Sequence, residues 1–151
     1  MVTDSSLVAP LAVIFRINDG LLSRALDGIR EDQLWHRPTE RNNPMLWMVG
    51  HLAQTRAVML GVLGHPFDTG WGDLFVQGSS VGDPERYPAI DEIRRVLGAI
   101  TERFYAVLQS LDDERARTAA EQLAGFAMHD SYHVGQLAYV RKGFGYSAVA
   151  G

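Results

Sequence analysis

Four stretches of this sequence repeat apolar residues with the period of an α-helix, and one long break rich in glycine and proline separates the second from the third. In residues 7–29 the apolar set includes Leu7, Leu11, Ile14, Phe15, Leu22, Ala25, Leu26 and Ile29, which follows the i, i+3, i+4, i+7 pattern of an amphipathic helix. Ser5 or Ser6 is placed to cap this helix, Pro10 is tolerable near its start, and Gly28 reads as its stop signal. Asn18 interrupts the apolar face, so a local hydrogen bond, a place at the rim or a pocket wall is its expected role. Residues 30–43 form a polar connection containing Pro38, which ends with Asn43 as N-cap and Pro44 at the first helical position.

The second helix runs over residues 44–63 and is apolar nearly all round, as expected of a helix packed deep among others. Residues 64–88 carry Phe67, Trp71 and Phe75 on what reads as a loop. A loop this long in a compact domain is a lid, a binding loop or a crossover, and its aromatics can cover core surface or a pocket mouth. The third helix, residues 88–111, places Ile93, Val96, Leu97, Ile100, Phe104, Val107 and Leu108 on one stripe, with Asp91 and Glu92 in its first turn. A charged turn is expected at 112–117. A capping box of Thr118 and Glu121 then opens the fourth helix, which runs to Lys142 and stops at Gly143.

The expected fold is therefore all-α: residues 1–151 as a single domain, a four-helix bundle with a long connection between helices two and three. Short connections make helices one and two, and three and four, antiparallel. The long connection leaves the relative direction of helices two and three open.

Composition narrows the function. Forty-six per cent apolar and 21% charged residues are the proportions of an ordinary soluble globular protein. Cysteine is absent, which excludes disulfides, Cys-based zinc knuckles and a protein thiol nucleophile. A formal charge of −4, with fourteen scattered Lys and Arg, argues against a nucleic-acid surface. The N-terminus does not read as a secretory signal, and no apolar run reaches the roughly 20 residues needed to span a bilayer, so a soluble cytoplasmic protein is expected. Neither GxGxxG nor GxxxxGK[ST] occurs, and no nucleotide cofactor is expected.

The chemistry concentrates in FAMHDSYHVGQLAYVRKGFGY, residues 126–146. His129 and His133 are four residues apart on a helix, which puts their Cβ atoms about 5 to 6 Å apart on one face. Two such imidazoles can clamp a divalent metal if a third ligand arrives from another element, and His51 on the second helix is the donor available at matching depth. The competing reading is coincidence, a hydrogen-bonded core histidine at 51 and an isolated HxxxH. Gln136, one turn after His133, can orient a ligand or bound water or make an interhelical hydrogen bond. Asp130 points about 100° away from His129 and suits an ion pair better than a metal. His36 and His65 lie in loops and read as surface residues. HDSYH lacks the glutamate of HExxH, and no Glu-x-x-His occurs, so zinc-protease and ferritin-like di-iron readings fall.

At these residues the chain resembles the DinB/YfiT-like superfamily of four-helix metal-binding proteins. The resemblance rests on NPMLWMVGHLAQ around His51, on HDSYHVGQLAYVRK with His129, His133 and the Gly135-Gln136 pair, and on the aromatic loop PFDTGWGDLF, and it spans nearly the whole chain. It implies a divalent metal, zinc or nickel, on His51, His129 and His133, a long crossover between helices two and three, and a homodimer. Characterised members include thiol-dependent transferases using bacillithiol, mycothiol or glutathione, a maleylpyruvate isomerase and a hydrolase. Many have no known activity, so the resemblance speaks more to the site than to the reaction.

The leading expectation is a metal-dependent enzyme that activates a low-molecular-weight thiol for transfer to an electrophile, with no catalytic side chain assigned beyond the metal-bound thiol or water. Trp71 and Phe75 are candidate pocket residues and Gln136 a candidate supporting residue. The alternatives are a metal-dependent hydrolase, which needs a general base, and a stress-associated binding or scaffold protein with a structural metal. The expected partner is a small-molecule substrate, without nucleic acid or membrane.

Overall fold

A computed structural model describes residues 6–150. Among them the regular structure is helical and no strand occurs: α1 (Ala9–Leu26), α2 (Glu31–Leu34), α3 (Met45–Val62), α4 (Ile90–Ser110) and α5 (Asp113–Gly143), with a 3₁₀ turn at Pro84–Arg86. The all-α class expected from periodicity holds. No helix among the described residues is long and apolar enough to cross a membrane.

The boundaries differ from expectation where caps compete. Val8 occupies the N-cap of α1 without a side-chain bond, Pro10 lies in the first turn where no hydrogen bond is lost, and Ser6 does not cap; Ser5 lies outside the described residues. Gly28, at φ 72°, takes the left-handed conformation just past the helix end, as its stop role requires. Pro44 is the N-cap of α3 in place of Asn43. The charged turn expected at 112–117 is instead the start of α5. Asp112 accepts the Arg115 N–H at 2.8 Å, and the Thr118 hydroxyl donates back to the Glu114 carbonyl inside the helix, so Asp112 is the cap and the Thr118 box does not form. The connection at 30–43 also contains α2, too short for periodicity to register; it starts with the Arg30 N–H donating to the Gln33 side chain at 3.0 Å.

Pairwise contacts set the helix directions. Asn18 donates to Ser131 at 3.0 Å and Arg141 reaches the carbonyls of Ala25 and Asp27, so α1 and α5 run the same way. Arg56 donates to Thr101 at 2.7 Å, while Leu63 and Leu111 border one hollow, which makes α3 and α4 parallel to each other. α3 opposes α5: His51 meets His129, and Val62 shares a hollow with Gln122. The segment between α3 and α4 therefore returns the length of a helix, about 27 Å for the 18 residues of α3.

The core is one continuous cluster in which Phe15, Phe75, Phe104, Met59, Leu60, Ile93, Ile100 and Leu137 are fully buried. α3 crosses it, with every residue from Met45 to Ala53 buried. The cation Arg56 lies in that helix at 3% exposure. Its guanidinium pairs with buried Asp130 and, at 2.7 Å, with Asp19, and lies over the Phe15 and Phe104 rings at 5.6 and 5.8 Å from their centroids. Burial opposes its charge, but the two carboxylates outweigh burial and raise its pKa above the ordinary arginine value. Asp19 also accepts from the Tyr105 hydroxyl at 2.5 Å, so helices α1, α3, α4 and α5 share one polar knot. Arg56→Leu, which leaves Asp130 buried without its cation, is expected to lower stability by about 3–5 kcal/mol in urea unfolding, and Arg56→Leu/Asp130→Leu to recover part of the loss. Equal losses in the two variants would show that the pair, once buried, contributes only through packing.

Candidate metal centre

The site begins with a glycine. The ring of Phe75 lies so close to α3 that a Cβ built on Gly50 would fall 2.2 Å from it, which only a residue without a side chain permits. The long segment is thereby seated against α3 and its backbone is brought to the next residue, His51. The Nδ1 of His51 lies 2.7 Å from the Phe75 carbonyl oxygen, and because a carbonyl only accepts, the imidazole carries its proton on Nδ1 and leaves Nε2 as a lone pair. Trp47, one turn earlier, donates from Nε1 to the Leu74 carbonyl at 3.2 Å and stacks on His51 with ring centroids 4.7 Å apart. One face of α3 thus fixes both the loop and the imidazole.

α5 supplies the other two histidines at its i, i+4 spacing, their ring centroids 4.5 Å apart. His129 Nε2 is 3.0 Å from His51 Nε2, and His133 packs against His51 with centroids 4.9 Å apart. His133 Nδ1 donates to Gln136 Oε1 at 2.8 Å, which leaves its Nε2 free as well. One ligand atom from each of the three residues falls within 4.8 Å of the others, so His51, His129 and His133 form a group able to hold a metal ion. Tetrahedral zinc with bonds of about 2.0–2.1 Å separates its nitrogens by about 3.3 Å, which the 3.0 Å pair already approaches. Among the described residues the group contains no fourth histidine, aspartate or glutamate.

His51 is buried, and His129 and His133 are partly buried. Burial, with smaller effects of His133 and His51, lowers the His129 pKa to about 4. Burial also lowers that of His133, the Gln136 bond opposing it and His51 adding to it. Both imidazoles are neutral near pH 7, the form able to bind a metal. The Nδ1 of His129 is buried without a hydrogen-bond partner, so of the three imidazoles it is the one whose outer nitrogen no protein group holds.

The three histidines expected to converge do so. Gln136 bonds its own helix neighbour His133 and makes no interhelical link in that bond. Asp130 turns away to Arg56, and Asn18 is bonded to Ser131. Phe75 borders the site, whereas Trp71 packs edge-on against Phe75 at 5.1 Å and is not on the walls of the two cavities that reach the histidines. His36 is exposed and contacts Phe144, away from the group. Sequence reasoning missed Trp47, Gly50 and Arg56. The i, i+4 spacing from Trp47 to His51 and a cation inside an all-round apolar helix were the available signals.

Two cavities open on the group, of about 990 and 580 Å³, and His51 and His129 border both. The sequence model of the DinB superfamily matches residues 15–137, a span that includes all three histidines and all four long helices in whole or part. No curated protein and no solved structure matches the chain.

Gly50→Ala is expected to displace Phe75, release the Nδ1 of His51, weaken metal binding by about 10- to 100-fold and lower stability by about 1–3 kcal/mol; metal titration with thermal unfolding checks both. The sign of the pH effect follows from His129. The unfolded chain protonates it near 6.5 and the folded chain near 4, so the metal-free protein loses stability as pH falls through that interval, and His129→Gln flattens the dependence. An NMR titration placing His129 near 6.5 in the folded protein would contradict this.

Proposed function

The chain belongs to the DinB superfamily, and on that premise we propose that it is a divalent-metal-dependent enzyme in which His51, His129 and His133 hold zinc or nickel and leave a position for a small-molecule thiol, which is transferred as its thiolate to an electrophile. The four long helices are read as a four-helix bundle, the segment between α3 and α4 as its long connection, and the working unit as a homodimer.

The observation that carries this reading is the fixed tautomer of two ligands. The Phe75 carbonyl and Gln136 each take an Nδ1 proton, so the Nε2 lone pairs of His51 and His133 are available without further proton loss. Neutral donors leave a bound cation its full positive charge. When bound, a divalent cation stabilises a coordinated thiolate and lowers the thiol's pKa toward neutrality. The protein orients the ligands: Trp47 stacks on one face of His51 and Tyr132 packs edge-on to His133.

The two rival readings are less well supported for physical reasons. Hydrolysis calls for a general base, but no aspartate or glutamate lines either cavity, and Asp130 is committed to Arg56. A structural zinc calls for a fourth protein ligand, and the group offers three.

Elemental analysis is expected to give about one zinc or nickel per chain after reloading, lost in His51→Ala and in His129→Ala/His133→Ala. With an activated aryl chloride as electrophile, the loaded protein should form an S–aryl bond as the C–Cl bond breaks, chloride leaving with the electron pair and the thiol proton passing to solvent. Metal-dependent turnover that persists without thiol would establish the hydrolase instead. A parent protein that takes up no metal would remove both enzyme readings.

A further inference from the structure

The histidine group lies where two cavities of different character meet. The larger mixes polar and apolar side chains, and Arg41 is the one charged side chain among its lining residues. The smaller has no charged lining residue. Its walls come from three elements: Val58 and Val62 on α3, Val76 on the long segment, and Phe126 and Met128 on α5. Val58, Val62, Val76 and Met128 are 52%, 47%, 44% and 66% exposed, so the folded core does not account for their placement. The inner end of this cavity is made by Phe75, His51 and His129, residues of the metal group and its support.

A two-substrate transfer needs both reactants to approach one centre from different sides, and His51, His129 and Gln77 border both cavities. Resting on the thiol-transfer reading, we propose that the smaller cavity receives the second substrate, an electrophile whose bound portion is uncharged and apolar, while the thiol enters through the larger one. An apolar group entering there releases water from the exposed valines and methionine. A charged group would lose its hydration with no opposite charge to meet it. The volume of about 580 Å³ lies within the range of roughly 300–1,000 Å³ usual for small-ligand sites. Continuity with the histidines argues for a small molecule over a protein partner, since a second chain seated there would close one approach to the centre.

Gly125 permits a test that does not endanger the fold. It sits within α5 on the cavity wall, and a Cβ added to it meets nothing within 4 Å. Gly125→Leu therefore improves helix propensity while filling the cavity. The neutral fluorescent probe N-phenyl-1-naphthylamine, titrated into the 151-residue chain, is expected to bind saturably. Gly125→Leu and Met128→Glu should each weaken it by about tenfold or more. Val13→Glu, at an apolar α1 residue 50% exposed and outside both cavities, should not.

Unchanged probe affinity in Gly125→Leu and Met128→Glu, or an equal loss in Val13→Glu, would overturn the assignment. So would a parent dimer that Met128→Glu splits into monomers, because a second copy would then occupy the groove. Metal content measured on the same samples separates the two levels of argument. Full metal with lost probe binding supports the apolar subsite. A parent that binds no metal yet shows the same probe pattern would sink thiol transfer and leave the apolar ligand site standing.

Discussion

The contact between the Phe75 ring and the bare backbone at Gly50 is the constraint on which the histidine centre depends. A ring seated there needs a residue with no Cβ, and once seated it carries its own carbonyl to His51 Nδ1. A packing event is converted into a proton position: the hydrogen bond fixes the tautomer, and the tautomer decides which nitrogen can bind a cation. The same contact anchors the long segment between α3 and α4, which would otherwise have only its short 3₁₀ turn as regular structure. Loop placement and ligand chemistry are two consequences of one close approach.

Just beneath the histidines lies a second polar system. His129 and Asp130 are neighbours on α5, yet the 100° step between them sends the imidazole to the open side and the carboxylate to the core. There Arg56 is held by Asp130 and Asp19 and lies against the paired rings of Phe15 and Phe104. A charge so placed tolerates no slippage, because shifting α5 against α3 would separate a buried ion pair in a low-dielectric interior. The knot thus holds α5 in the register that brings His129 to His51. It also turns the Asp130 carboxylate away from the histidines, and no acidic side chain lines either cavity there.

Much of this was legible in the residues. The four long helices follow from apolar periodicity, which survives any tertiary arrangement that buries one face. The pairing of His129 with His133 follows from helical spacing alone. Boundaries were less legible: Asp112 and Thr118 both offer caps to α5, and only the competition between them, won by the earlier residue because the intervening sequence can be helical, sets the start. Trp71 and Phe75 looked equivalent on the loop, but Phe75 alone touches the centre, since the one glycine that can accept a ring faces it.

What the sequence by itself determined is the all-α class, the helical segments, the absence of cysteine and of the HExxH glutamate from the HxxxH motif, and the identity of three histidines at compatible depth. These rest on local geometry and on residue chemistry, both readable along the chain. The tertiary structure alone decided that α3 and α4 run parallel, that Arg56 is the partner of Asp130, that the imidazole protons sit on Nδ1 of His51 and His133, and that a mixed and an apolar cavity meet at the same pair of histidines. Each of those depends on contacts between residues far apart in sequence, whose pairing no local period encodes.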